Sequence, residues 1–114
     1  MSAPCLVYMT MADRAEAERI GRALVELRHA ACVNILDGMT SIYRWEGETR
    51  QEREVVLIAK TERAHADALI AAMRALHSFT VPCAIVLDIV GGNSEYLAWL
   101  ASEVGPAPSV EGAP

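Results

Sequence analysis

The chain has 114 residues, of which 53% are hydrophobic, 22% are charged and 5% are aromatic, and its formal net charge is −5. This length fits one domain, and the composition is the opposite of that of a disordered chain. The negative charge argues against nucleic-acid binding, and no apolar run approaches the roughly 20 residues of a membrane span. We therefore expect a single cytoplasmic domain over 1–104, without nucleic-acid or membrane partners, and a disordered Pro-containing tail over 105–114.

The first strand and the first helix follow from an apolar run and a capping signal. Residues 5–10 form a short apolar segment that is typical of a buried strand. Asp13 and Glu16 have the spacing of a helix N-terminal capping box. Apolar residues then recur at helical spacing, which predicts an amphipathic helix over about 13–30.

The middle of the chain predicts a long β-hairpin with one ambiguous point. A strand begins at Cys32, and strand-like sequence continues to Trp45. Within it, Asp37-Gly38 fits either a hairpin turn or a bulge in one long strand, and the local rules leave both interpretations open. Glu46-Gly47-Glu48 is the better turn, and the next strand, about 53–60, becomes almost wholly apolar after a polar start.

The second half of the chain predicts a helix, a strand and another helix. Thr61 is expected to cap a helix over about 62–76, with Leu76 as the last residue of its core stripe. An apolar strand over 84–90 follows, and Asn93 is expected to cap the third helix. The order of elements is therefore β-α-β-β-α-β with an extra C-terminal helix.

This order is that of the ferredoxin-like fold, an α+β sandwich in which two helices cover one face of a four-stranded antiparallel sheet. The other face of the sheet would have no helix cover of its own. The apolar strand at 55–59 suggests that both faces are covered, so a partner has to supply the missing contact. The sequence therefore indicates an oligomer.

Few residues carry a recognisable chemistry. The sequence has no Gly-rich phosphate loop and no nucleophile–His motif of known local form, which predicts a protein without enzymatic activity. His29 and His65 fall among charged neighbours on helices and are expected at the surface. His77, where a helix meets a Pro-containing loop, is either a cation at the helix C-terminus or a ligand in a cleft. Lys60 is the only lysine and lies at the end of a strand.

Blocks of residues along the chain have a distinctive order and spacing. They are Cys32-Val33-Asn34-Ile35, Gly38, Ser41-Ile42-Tyr43-Arg44-Trp45-Glu46-Gly47, Glu54, Lys60-Thr61, His77-Ser78-Phe79-Thr80-Val81-Pro82 and Asn93-Ser94-Glu95-Tyr96-Leu97-Ala98-Trp99. Together they resemble the CutA divalent-cation tolerance family over about residues 5–102. The resemblance implies a PII-like homotrimer of ferredoxin-like subunits, whose long hairpins wrap neighbouring subunits and whose sheets pack together at the centre. It also implies that Asp37-Gly38 is a bulge within one long strand.

The resemblance has consequences for a metal site. Members of the family have been linked to copper and other divalent ions, and binding has been tied to a Cys late in the first strand and a His pair at the end of the second helix. Those positions are Met9 and Leu76–His77 here, which leaves His77 as the candidate metal ligand. One imidazole with a thioether suits Cu(I) better than Zn(II) or Cu(II), so we expect divalent ions to bind weakly.

Two functions follow as hypotheses. The first is a non-enzymatic homotrimer associated with tolerance of, or response to, divalent metal ions, with no cofactor apart from copper or another divalent cation. The alternative is a PII-like signalling or adaptor trimer that binds a small anionic ligand or a protein in its intersubunit clefts. The residues expected to form such a cleft are Tyr43, Trp45, Glu54, Lys60 and His77.

Overall fold

The computed structural model describes residues 3–106, which contain seven helices and strands. In chain order these are β1 (Pro4–Met11), α1 (Arg14–Glu26), β2 (Cys32–Trp45), β3 (Glu48–Glu62), α2 (Arg63–Leu76), β4 (Ala84–Asp88) and α3 (Ser94–Glu103). The strands form one antiparallel sheet in the order β2-β3-β1-β4, and α1 and α2 pack against one of its faces. The predicted ferredoxin-like fold with an extra C-terminal helix is confirmed. No helix within residues 3–106 has the length and apolar character that crossing a membrane requires.

The start of α1 follows the capping signal in the sequence. The carboxylate of Asp13 accepts a hydrogen bond from the backbone N–H of Glu16 at 2.8 Å. The helix ends at Glu26, earlier than predicted, because Arg28 adopts a left-handed φ of 63° and the next two N–H groups fold back onto the carbonyl of Leu24. The helical spacing of apolar residues could not reveal this reversal, since a non-Gly residue at positive φ has no reliable sequence signal.

Strands β2 and β3 form one long hairpin. Its turn consists of Glu46 and Gly47 at φ values of 50° and 82°, the positive angles of a type I′ turn, whose twist matches that of the flanking strands. The pairing register shifts between Leu36 and Met39, with Gly38 at a φ of 81°. This shift is a β-bulge, so β2 continues through Asp37-Gly38 and the alternative of a turn there is excluded.

The predicted cap of α2 is wrong. Thr61 is buried in β3, and its hydroxyl donates to the backbone carbonyl of His29 at 2.6 Å instead of capping a helix. Strand β3 continues one residue past Thr61, because Glu62 still pairs with Pro4 of β1. Glu62 is the N-cap residue of α2, and its side chain forms no capping hydrogen bond. The cap of α3 was predicted correctly, since the side chain of Asn93 accepts a hydrogen bond from the next turn of the helix.

The core lies between the helices and one face of the sheet. Its buried residues include Val7, Met9, Met11, Ile20, Leu24, Val55, Leu57, Ala59, Leu69 and Met73. Leu76, expected in the same stripe, is 37% exposed because it is the last residue of α2. Because strand side chains alternate between faces, the neighbours of these core residues point to the opposite face. That face keeps apolar side chains in contact with solvent, among them Leu36, Ile85 and Leu87.

Strand β4 differs from its predicted bounds, and the predicted tail is described only at its first two residues. Strand β4 ends at Asp88 rather than at residue 90. Of the predicted disordered tail, 105–114, the residues after Pro106 lie outside the described part of the chain. Gly105 itself is held in place, because its N–H donates to the carbonyl of Arg28 at 2.8 Å.

Candidate functional site

A concavity of about 590 Å³ opens on the sheet face that α1 and α2 leave uncovered. One wall consists of β1 and the hairpin, and the other is the loop that joins α2 to β4. Six of the side chains that line it are Tyr8, Tyr43, Trp45, Glu52, Glu54 and Phe79. Its volume is within the range of about 300–1,000 Å³ that is usual for small-molecule sites, which makes it the candidate functional site of this chain.

Three of the residues expected in a cleft meet in this concavity. Tyr43 and Trp45 are two positions apart on β2 and therefore point to the same face, and Glu54 reaches that face from β3. The hairpin pairing brings the two strands together, with Met39 opposite Glu54. These three residues were expected in an intersubunit cleft under the PII-like hypothesis, and in the single chain they line one concavity.

Lys60 lies outside the concavity. It follows Glu54 by six positions on β3, which separates their backbones by about 20 Å along the strand. Its ammonium group lies 3.3 Å from the hydroxyl of Tyr96 and 5.4 Å from the centre of that ring. The structure therefore assigns Lys60 to a cation–π contact with α3 and not to the concavity.

His77 lies behind the wall of the concavity. Its side chain is fully buried, Nε2 donates to the carbonyl of Thr10 at 2.8 Å, and Nδ1 accepts the N–H of Phe79 at 2.9 Å. These partners fit the neutral tautomer with its proton on Nε2. Both ring nitrogens are thus engaged within the chain, and a metal ion could bind here only after one of these bonds was broken. In this geometry His77 fixes the position of Phe79, whose ring it contacts at 4.8 Å between centroids.

Glu16 ties the loop wall to the start of α1. Its buried carboxylate accepts hydrogen bonds from the backbone N–H of Ala12 at 2.9 Å and of Ser78 at 2.8 Å. Burial alone would raise the pKa of Glu16, but these hydrogen bonds outweigh it, so the pKa lies below its usual value. The sequence predicted Glu16 as a capping residue but could not show the contact with Ser78, because the two residues are 62 positions apart.

Carboxylates dominate the polar part of the concavity. Glu54 is 9% exposed and accepts a hydrogen bond from the hydroxyl of Ser41 at 2.7 Å. Burial and then the charge of Glu54 raise the pKa of the neighbouring Cys83 thiol. The hydroxyl of Tyr43 donates to Glu52 at 2.8 Å, and this bond raises the pKa of Tyr43.

Two histidines expected at the surface form a partly buried pair. His65 is 5% exposed, and its Nε2 lies 3.1 Å from Nδ1 of His29. Burial and the neighbouring His29 lower the pKa of His65. The prediction was wrong because the segment after α1 folds back over the start of α2, a tertiary contact with no local signal. Within residues 3–106, no three His, Cys, Asp or Glu side chains are grouped so that they could hold a metal ion.

The comparisons with known proteins agree with this architecture. The family model described as "CutA1 divalent ion tolerance protein" matches residues 5–103. The divalent-cation tolerance protein CutA of Thermus thermophilus is 45% identical over 100 residues, which cover 88% of this chain and 97% of that protein. A long-hairpin, ferredoxin-like chain with these matches is a CutA-type protein. The chain belongs to the CutA1 divalent ion tolerance family.

Solved structures support the same assignment. The crystal structure of CutA1 from Oryza sativa superposes with a TM-score of 0.89 at 36% identity, covering 91% of this chain and 95% of that one. A CutA structure from Archaeoglobus fulgidus, described as a periplasmic divalent cation tolerance protein, superposes with a TM-score of 0.86 at 34% identity, covering 90% and 99%. The similarity therefore extends to the whole fold, including the long hairpin.

Proposed function

We propose that this protein contributes to divalent-ion tolerance as a non-enzymatic cytoplasmic homotrimer with a PII-like arrangement of subunits. Membership of the family supports the role in divalent-ion tolerance. The observation that supports the assembly is the apolar surface on the hairpin and on the uncovered sheet face. The exposed fractions are 55% for Leu36, 68% for Ile42, 55% for Ile85 and 47% for Leu87. Contiguous exposed apolar surface on a small domain marks a contact with another molecule. A second and a third copy of the same chain would cover both regions at once.

Sedimentation equilibrium tests the assembly. At micromolar concentration, the mass should be about three times the chain mass of 12.4 kDa. A mass equal to one chain would contradict the proposal, because the apolar face would then have no cover. A dimer would contradict the PII-like arrangement while leaving oligomerisation intact.

The metal component of the proposal is weak binding of copper or another divalent ion. His77 is the ligand that the sequence predicts, but its two hydrogen bonds have to compete with the metal. Met9 is enclosed in the core and is no better placed. Calorimetric titration of the reduced protein with Cu(I), Cu(II) and Zn(II), repeated with His77→Ala, measures this. Tight Zn(II) binding that survives His77→Ala would contradict it.

The second candidate function is ligand binding in a PII-like trimer, and the concavity at Tyr43, Trp45 and Glu54 favours it. A ligand that binds only the folded state raises the thermal midpoint, by an amount that grows with its concentration above the dissociation constant. A thermal-shift screen with metals, nucleotides and small anions therefore separates the two functions. Stabilisation by metals alone would favour the first candidate, and stabilisation by an organic ligand the second.

A further inference from the structure

The end of α3 is attached to the turn that follows α1. The backbone N–H of Gly105 donates to the carbonyl of Arg28 at 2.8 Å. The guanidinium group of Arg28 in turn donates to the carbonyls of Ser102 and Glu103, both at 3.1 Å. Val104, which lies between these contacts, is 7% exposed. Residues 102–105, here called the C-terminal segment, are therefore held in place by one arginine and its own backbone.

The histidine pair adjoins this attachment on both sides. His29 follows Arg28 directly, and its Nδ1 lies 3.1 Å from Nε2 of His65 on the first turn of α2. His65 also forms a hydrogen bond with the backbone of Gly105. All of these groups belong to one chain, and α1 and α2 lie on the covered face of the sheet. The arrangement is therefore separate from the hairpin and from the uncovered sheet face.

The geometry of the pair limits how many protons it can hold. Two facing ring nitrogens at this distance need one N–H donor and one acceptor. A first extra proton can enter on a ring nitrogen that faces away from the partner ring, which keeps the bond and gives the pair one positive charge. A second extra proton removes the acceptor and places two like charges side by side. The lowered pKa of His65, caused by burial and then by His29, agrees with this limit.

Other charged groups on the elements that meet here have their own partners or are carboxylates. Arg63 of α2 forms an ion pair with Asp88, and Lys60 of β3 lies against the ring of Tyr96. The carboxylates on these elements are Glu26 on α1, Glu62 on β3, Asp67 on α2 and Glu103 on α3. The neighbouring charge that lowers the pKa of His65 is that of His29, while the hydrogen bond with Gly105 acts in the opposite direction.

The turn after α1 couples the pair to the C-terminal segment. Arg28 has a left-handed φ of 63°, a conformation that non-Gly residues seldom adopt and that persists only when surrounding contacts hold it. Because Arg28 and His29 are consecutive, separation of the two rings also displaces the carbonyl that accepts the N–H of Gly105. The hydrogen bond between the rings and the attachment of the segment should therefore be lost together.

We propose that the His29–His65 pair is a pH-sensitive switch for the C-terminal segment. Near neutral pH the hydrogen bond between the rings keeps the segment attached. On acidification both rings become charged and separate, and residues 102–105 detach while α1, α2 and the sheet stay folded. This inference goes beyond the proposed function and does not rest on it, because every group involved belongs to the single chain.

Amide hydrogen exchange of the full chain, followed by NMR at about pH 7.5 and about pH 5, tests the proposal. After correction for intrinsic exchange, protection of the Gly105 N–H should fall at least about tenfold at the lower pH. The N–H of Leu97, bonded to the carbonyl of Asn93, and that of Leu24 in α1 should keep their protection. Unchanged protection of Gly105 would overturn the proposal. An equal fall at Leu24 would also overturn it, because the whole chain would then be unfolding.

Substitutions identify the groups that titrate. His29→Gln and His65→Gln each keep a polar side chain that does not titrate, and protection of Gly105 should then change less than about twofold between the two pH values. Two variants are used so that a folding defect in one leaves the other. Glu103→Gln is the matched control, since it removes a carboxylate of the segment itself, and it should keep the tenfold fall. A tenfold fall in a folded histidine variant, or its absence in Glu103→Gln, would overturn the proposal.

Discussion

The two halves of β3 belong to one continuous strand but lie in different surroundings. Residues 55–62 pair with β1, those from Val56 to Lys60 also pair with β2, and most of their side chains are buried. Residues 48–54 pair with β2 alone, and their side chains are mostly exposed apart from Glu54. Residues 55–62 stabilise the single chain through their core contacts. Residues 48–54 gain little from their own chain and are available for contact with another molecule, and charged residues concentrate there.

The largest effect is expected when one side chain is shortened in the buried part of the hairpin and compared with one in its exposed part. Leu57 is fully buried and Ile42 is 68% exposed. Leu57→Ala should lower the free energy of unfolding by about 2.7–5 kcal/mol at every protein concentration. Ile42→Ala should change the stability of the single chain by no more than about 0.5 kcal/mol. Guanidinium unfolding at several protein concentrations measures both, and equal losses would remove the contrast between the halves.

The next effect concerns assembly through the exposed half. Trp45 and Trp99 are exposed to nearly the same extent, 44% and 43%, but Trp99 already packs against Tyr96 of its own helix. If the hairpin wraps a neighbouring subunit, Trp45→Ala should weaken the trimer by about 2–4 kcal/mol, as at other interface hot spots. Trp99→Ala is the matched control and should leave assembly nearly unchanged. Sedimentation of both variants over a dilution series would show the difference, and an intact trimer in Trp45→Ala would contradict the prediction.

A smaller effect is expected from Glu16, which connects α1 to the loop between α2 and β4 through a hydrogen bond with Ser78. Glu16→Gln should cost about 1–2 kcal/mol, because charge-assisted hydrogen bonds to Ala12 and Ser78 become neutral ones. The folded-state pKa of Glu16 is lowered from 4.5. Its contribution to the free energy of unfolding is therefore present above about pH 4.5 and is lost as the pH falls through the folded-state pKa. The variant should therefore lose less stability than the unmodified chain on acidification below about pH 5.

Urea midpoints measured as a function of pH would test this, with Glu18→Gln as the control. Glu18 forms an exposed salt bridge with Arg14 on the same helix, and such pairs contribute about 0.5 kcal/mol or less. A pH dependence that is the same in both variants would show that Glu16 has no special role.

The smallest effect comes from the histidine pair. The folded-state pKa of His65 is lowered, so the unfolded chain binds a proton at a higher pH than the folded one. The contribution of His65 to the free energy of unfolding is therefore present above about pH 6.5. It is lost as the pH falls through the folded-state pKa of His65, by no more than about 1.4 kcal/mol per pH unit. In His65→Leu, stability should change less between about pH 7 and pH 5. Parallel stability curves for the two chains would contradict the paired arrangement with His29.

Most of the fold was predictable because its signals are local. The alternation along strands, the helical spacing of apolar residues, and the caps at Asp13 and Asn93 each depend on neighbouring residues. The face shared by Tyr43 and Trp45 follows from the same period of two. Where the local rules left two interpretations, as at Asp37-Gly38, the family resemblance selected the bulge that the register shows.

What the sequence by itself determined, then, is the order of elements, the family and the part of the site that lies on one hairpin. The tertiary structure decided which distant groups meet. It joined Glu16 to Ser78, paired His65 with His29, placed Lys60 against Tyr96 of α3, and turned Thr61 from a cap into a buried donor. Each of these contacts joins elements far apart in the chain, where the partner of a polar side chain depends on packing geometry and not on spacing. For the same physical reason, the burial of Glu54 became visible only once the hairpin was folded against the sheet.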